Sequence, residues 1–213
     1  MPYCKIIIDT AGFPRLVPHR IGLAQNDSER YYSKRDNFRT QLSTAVLRMS
    51  LNANDFRKAM GCFATGVTII TVDQDGDDEV HGMTANAFTA VSLDPVLVLV
   101  CVDHRARTHA HLHARKRFGV NVLRSDQQSV SEYYARSAET HQHPQEAGAR
   151  FDRTAHGTPV LQGALAYLEC RLHSTQPAGD HTIFIAEVEE VVVRDGEPLL
   201  YFRSEYREVR GER

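Results

Sequence analysis

Val96-Leu97-Val98-Leu99-Val100-Cys101-Val102 runs for seven residues without a polar side chain, directly after Asp94-Pro95. Side chains alternate between the two faces of a strand, so an unbroken apolar run reads as a central strand covered on both sides. Pro95 suits its start, where no ladder hydrogen bond is lost. Working outward, Val67-Thr68-Ile69-Ile70-Thr71-Val72 is a strand by its β-branched content, and Asp75-Gly76-Asp77-Asp78 is the turn after it. The spacing of Asp73, Asp75 and Asp77 lacks the Gly and distal Glu of a calcium loop, so the turn is the reading taken. A second strand is expected near residues 80–85, another over 118–123, two long ones over 164–173 and 182–194, and a last one over 199–202. Helical spacing is confined to residues 54–63, capped by Asn54 or Asp55, and to residues 108–116 and 126–136. About seven strands, few helices and no strict βαβ alternation predict a mainly β chain folded as an antiparallel six- to seven-stranded barrel.

Composition narrows the function classes. The chain has 213 residues, 42% hydrophobic and 24% charged, with a net charge of −2. A main partner of nucleic acid would need an excess of Lys and Arg to neutralise phosphates, which this balance lacks. No apolar run approaches the ~20 residues of a membrane helix. The four cysteines lie far apart with no CxxC pair, which points to free thiols in a reducing cytoplasm. Residues 1–50 carry eight Lys/Arg against four Asp/Glu and show no clear period. Residues 1–48 are therefore expected to be a poorly ordered extension, with the domain running from about Met49 to 210.

The motifs that are missing matter as much. There is no GxGxxG after a strand, no GxxxxGK[ST], no GxSxG and no HExxH. Four of the histidines fall in residues 104–113, and His109 and His113 would share a helix face. Arg105, Arg107, Arg115 and Lys116 make that neighbourhood cationic, so it reads as a solvated face and no metal is expected. The segment Gly82-Met83-Thr84-Ala85-Asn86-Ala87-Phe88-Thr89-Ala90-Val91-Ser92-Leu93-Asp94-Pro95 strings small and hydroxylated residues together. Small side chains let a flat ligand approach the backbone, and Asn86 offers both a donor and an acceptor. Gly179-Asp180-His181 forms a turn between the two long strands, which puts His181 at a barrel rim.

Taken together, the order of Phe63-Ala64-Thr65-Gly66-Val67-Thr68-Ile69-Ile70-Thr71, the segment 82–95, Phe118-Gly119-Val120-Asn121-Val122-Leu123, Leu165-Ala166-Tyr167-Leu168-Glu169-Cys170, Gly179-Asp180-His181 and Pro198-Leu199-Leu200-Tyr201-Phe202-Arg203 resembles the short-chain flavin reductase family, the reductase components of two-component flavin-dependent monooxygenases. The similarity spans about residues 53–207. It implies an FMN-binding split barrel, a homodimer, in which NADH or NADPH reduces FMN or FAD and the reduced flavin diffuses to a partner monooxygenase. By the same resemblance the flavin loop falls on Gly82, Met83, Thr84, Ala85, Asn86 and Ala87. Cys101, Val102, Asp103 and Thr108 would follow the ribityl chain and phosphate, with Arg107 supplying positive charge. Asn121 and Val122 would line the isoalloxazine, while Gly179, Asp180 and His181, with Tyr206 nearby, would meet the nicotinamide. His181 is the candidate catalytic residue, orienting the nicotinamide or its phosphate. Two departures stand out: Ala87, where many relatives carry Ser, and the basic stretch Arg105-Ala106-Arg107. A non-catalytic flavin or haem carrier and a pyridoxine-phosphate oxidase-like enzyme are the alternatives on the same barrel.

Overall fold

The computed structural model describes residues 52–74, 80–136 and 144–209. The extension over residues 1–48, a domain start at Met49 and the turn over 75–78 lie outside the described residues. Helix α1 (Ala53–Met60) precedes strands β1 (Thr65–Gly66), β2 (Thr68–Val72), β3 (His81–Ala85), β4 (Phe88–Leu93) and β5 (Val96–Asp103). Helix α2 (Arg107–Arg115), β6 (Arg117–Val122), α3 (Gln128–Ala135), β7 (Phe151–Arg153) and β8 (Pro159–Leu161) follow. Two 13-residue strands, β9 (Ala166–Ala178) and β10 (His181–Val193), lead to β11 (Leu200–Phe202) and β12 (Glu205–Arg207). Among the described residues no helix is long and apolar enough to cross a membrane.

Seven strands form one antiparallel sheet in the order β3-β2-β6-β9-β10-β5-β4. Its two edge strands, β3 and β4, are consecutive in the chain and joined only by Asn86 and Ala87. Six strand spacings in a flat sheet would part those edges by about 29 Å. Three Cα steps from Ala85 to Phe88 reach at most about 11 Å. The sheet must therefore curl round on itself, and it stays unpaired between β3 and β4. That is a split barrel. The closure is steeply staggered: Ala85 maps through Thr68 and Val122 to Ala166, and Phe88 through Val100 and Phe184 to Thr175, nine residues further along β9.

Alternation fills the interior with Ile70, Val72, Val98, Val100, Val102, Phe118, Val120, Phe184 and Ala186. A second cluster lies outside the barrel, where Val67, Ile69, Leu123 and Leu199 meet Val130 and Tyr134 of α3. β2 is thus buried on both faces along its whole length, and β6 over residues 118–121. The run over residues 96–102 is not covered twice as its composition suggests: Val98, Val100 and Val102 are buried, and Leu97, Leu99 and Cys101 on the other face are half-buried. The stretch after Ala85, read as a ligand loop, is loop for only two residues before β4 begins. Helix α1 starts at Ala53, so neither Asn54 nor Asp55 caps it, and its apolar positions are exposed, Phe56 at 55% and Met60 at 51%.

The β7–β8 hairpin lies over the outer face of β2, β6 and β9 and is held by buried polar side chains. Thr71 Oγ1 donates to the Pro159 carbonyl at 2.6 Å, Asn121 Oδ1 accepts from Leu161 N–H at 2.8 Å, and Thr158 Oγ1 donates to Glu169 at 2.6 Å. Gly119 makes this close approach feasible, because a Cβ there would stand 2.5 Å from Thr71 Oγ1 and 2.9 Å from the Pro159 oxygen.

Helix α2 closes one barrel mouth, and its histidines are only in part the solvated face expected from their charge: His113 is exposed, whereas His109 and His111 are half-buried. Leu112 is fully buried, His109 and His113 meet the Phe184 ring at 5.4 and 4.9 Å, and His111 lies 4.4 Å from His81. His81 Nε2 bonds Thr108 Oγ1 at 2.7 Å. Burial, with His111 and Arg107 nearby, lowers the His81 pKa to about 4. The unfolded chain, titrating near 6.5, then takes up the proton first, so stability is full above pH 6.5 and falls as the pH drops toward 4. We expect His81→Gln, which keeps a polar partner for Thr108, to flatten the fall in Tm between pH 7 and pH 5. An unchanged acid slope would show that His81 does not contribute to it.

Candidate active site

A cleft of about 230 Å³ opens where the barrel is split, lined by Val67, Thr84, Asn86, Ser131, Ala135, Tyr201 and Tyr206. Thr84 is on the outward face of β3, and Asn86 is exposed in the two-residue link to β4. Ser131, on α3, is buried behind them. Thr84 Oγ1 donates to the Ser131 carbonyl at 2.7 Å, and Ser131 Oγ and Tyr206 Oη share a hydrogen bond of 2.9 Å. Tyr201 and Tyr206 face each other across the β11–β12 register, their rings 5.3 Å apart. Planar aromatic and small apolar walls with a few polar groups at one side suit a flat heteroaromatic ligand with a polar edge.

Of the expected flavin loop, Thr84 and Asn86 line this cleft, while their four neighbours do other work. A Cβ on Gly82 would stand 2.5 Å from the Tyr134 ring, so this glycine lets α3 pack on β3 and its open side is not left for a ligand. Met83 and Ala85 pack into the barrel core. Ala87 is exposed, and its carbonyl accepts the Cys101 N–H at 3.0 Å, tying the link to β5. Cys101 itself is half-buried on the outer face, where desolvation pushes its thiol pKa up and keeps it neutral.

Three other expected residues are corrected by their burial. Val102 points into the core. Thr108 is buried with its hydroxyl engaged by His81, so it offers a phosphate no side chain. Asn121 is fully buried, donating to Ile69 C=O at 3.0 Å and Thr71 Oγ1 at 3.1 Å while accepting from Leu161; its amide is spent on the fold rather than on a ligand. Val122 is half-buried at the end of β6.

Charge gathers around α2. Arg105 chelates Asp103 through Nε at 3.1 Å and Nη2 at 2.7 Å, which holds the Asp103 carboxyl far below its usual range and occupies both groups. Arg107 is exposed at the first position of α2, whose start has no side-chain cap and no acidic residue in its first turn. Its guanidinium and the first-turn amides suit an anion such as a phosphate.

Gly179, with φ of +65°, and Asp180 turn the chain at the β9–β10 tip. His181 opens β10 opposite Asp103, with a side chain 42% exposed and Nδ1 2.7 Å from Asp180 Oδ1. That bond lowers the Asp180 pKa. His181 is therefore a rim residue and not a core one. Tyr206 was expected beside this turn, yet it lines the cleft with Thr84 and Asn86. Sequence reasoning missed Val67, Ser131, Ala135 and Tyr201. The hairpin that presents Tyr201 and Tyr206 turns on Arg203 and Ser204, both with positive φ, so no glycine or asparagine marked it.

The flavin reductase like domain family matches residues 60–210. An NADH-dependent flavin reductase of Rhodococcus sp is 42% identical over 152 residues, covering 71% of this chain and 83% of that protein. The reductase component of a 4-hydroxyphenylacetate 3-monooxygenase from Thermus thermophilus is 39% identical, covering 71% and 93%. Among solved structures, flavin reductase PheA2 in its native state superposes with a TM-score of 0.69 at 39% identity, over 76% of this chain and all of that one. The NADH:FAD oxidoreductase SgcE6 of Streptomyces globisporus, in complex with NAD and FAD fragments, gives 0.67 at 37%, over 75% and 93%. With a split barrel, a cleft at the split and matches of this extent, the chain belongs to the flavin reductase like domain family.

Proposed function

We propose that this flavin reductase takes a hydride from NADH, reduces FMN or FAD, and releases the reduced flavin to a partner monooxygenase. The observation that carries this is the cleft at the split of the barrel, with Thr84, Asn86 and Tyr206 on its polar side and Tyr201, Val67 and Ala135 as flat or small walls. The hydride passes between the nicotinamide and flavin rings, and that chemistry is the cofactors' own. The protein's task is placement. Val67 and the tyrosine rings would confine the flavin plane, and Asn86 would bond its polar edge. Arg107 and the start of α2 would hold a phosphate, with Arg105 withdrawn by Asp103. His181, fixed by Asp180 at the hairpin tip, would orient the nicotinamide nucleotide at the rim. The reductase activity of the relatives favours this reading over a flavin or haem carrier and over a pyridoxine-phosphate oxidase.

The working unit is a homodimer. Leu97, Leu99, Ile183 and Ile185 leave the outer face of β5 and β10 half-covered, and Val91, Leu93 and Val96 are exposed at the end of the β4–β5 hairpin. Phe56, Met60 and Phe63 add a second apolar group that a partner would cover. Cytoplasmic residence is supported by the free thiols of Cys62, Cys101 and Cys170.

NADH oxidation by the purified protein should depend on added FMN or FAD and be negligible without it. His181→Ala should keep Tm and flavin affinity while lowering kcat/KM for NADH about tenfold, ~1.4 kcal/mol of transition-state stabilisation. Oxidation indifferent to flavin would refute the reductase reading, and a collapsed Tm with normal kinetics per folded molecule would make His181 structural. Light scattering at micromolar concentration should give twice the chain mass; a monomer would remove the dimer.

A further inference from the structure

The hydrogen-bond polarity of the cleft can be read from its inner wall. A threonine hydroxyl has one hydrogen and two lone pairs. Thr84, half-buried, gives its hydrogen to the main-chain carbonyl of the buried Ser131 at 2.7 Å. Toward the cleft that Thr84 lines, its Oγ1 therefore has only lone pairs to offer. Thr84 can accept from a ligand and cannot donate to one. Asn86, exposed beside it, retains both an amide donor and a carbonyl acceptor, and Tyr206 Oη is held by Ser131 Oγ.

We propose that Thr84 is a specificity-determining residue that accepts a hydrogen bond from a ligand N–H, namely the imide N3–H of an oxidised isoalloxazine, and that the Ser131 carbonyl fixes it in this acceptor-only state. Oxidised flavin has this one ring N–H, flanked by two carbonyls, so an acceptor beside an amide donor matches its edge. A site built to bond an N–H rejects the analogue that lacks it, because its buried lone pair is left unpaired. The inference rests on the flavin reductase reading.

The test is equilibrium binding, by quenching of flavin fluorescence, of FMN and of FMN methylated at N3. The wild-type protein should bind FMN at least tenfold more tightly than the methylated form. Thr84→Val, nearly isosteric, should weaken FMN binding about tenfold and erase the discrimination, and Thr84→Ser should restore it. Ser131→Ala keeps the carbonyl and should keep the discrimination. Equal wild-type affinities for the two flavins overturn the proposal. So does full discrimination in Thr84→Val, which would make the effect steric, or its loss in Ser131→Ala. If FMN neither binds nor supports NADH oxidation, the reductase reading falls and takes the proposal with it, whereas equal affinities in an active enzyme overturn the proposal alone.

Discussion

The two-residue link Asn86–Ala87 is the constraint on which the rest of this structure depends. It joins the opposite edges of a seven-stranded sheet, so the sheet has to roll up, and the two edges it joins do not pair with each other. A barrel closed by a covalent link instead of a hydrogen-bonded ladder has an opening at that seam. Asn86 and Thr84 stand at the seam, and α3 and the β11–β12 hairpin supply the remaining walls. The site is thus a consequence of how the sheet closes. The bond from Cys101 N–H to the Ala87 carbonyl then fixes the link against β5, so the opening has one shape.

Polar groups divide the labour between building and binding according to which face of the barrel they meet. Asn121, Thr71 and Glu169 are buried and make their bonds to the β7–β8 hairpin and its loop, and such groups are costly to leave unpaired. Thr84 and Tyr206 also bond within the protein, yet each keeps unused capacity at the cleft. Ser131 connects the two classes: buried itself, it uses its carbonyl on one cleft residue and its hydroxyl on another. At the other barrel mouth the histidines of α2 serve packing, against Phe184 and His81, rather than charge.

Strand identity was legible because it rests on local pattern. Residues 67–72, 96–102 and 182–194 are rich in β-branched and aliphatic side chains, and all lie within or beside strands. Which of them is buried on both faces was not legible: residues 96–102 are the more apolar run, but α3 packs over β2, and no local signal records that long-range contact. The same gap explains the site. Thr84 and Asn86 belong to one contiguous motif, whereas Ser131 and Tyr201, which line the same cleft, belong to elements far apart in the chain. Asn121 sits in a motif of the resemblance and was read as ligand-facing; its partners, Ile69 and Leu161, are 52 and 40 residues away. Gly82 is required by the Tyr134 ring, a partner that the sequence does not place beside it.

The central claim is that flavin occupies the seam of the barrel. Amide hydrogen exchange with and without saturating FMN tests it directly, since each segment reports its own opening. The account predicts added protection at residues 84–87, along 131–135 and through 201–206, with the interior strand β6 unchanged. Protection confined to segments away from the seam, with none at Asn86 or Tyr206, would contradict it.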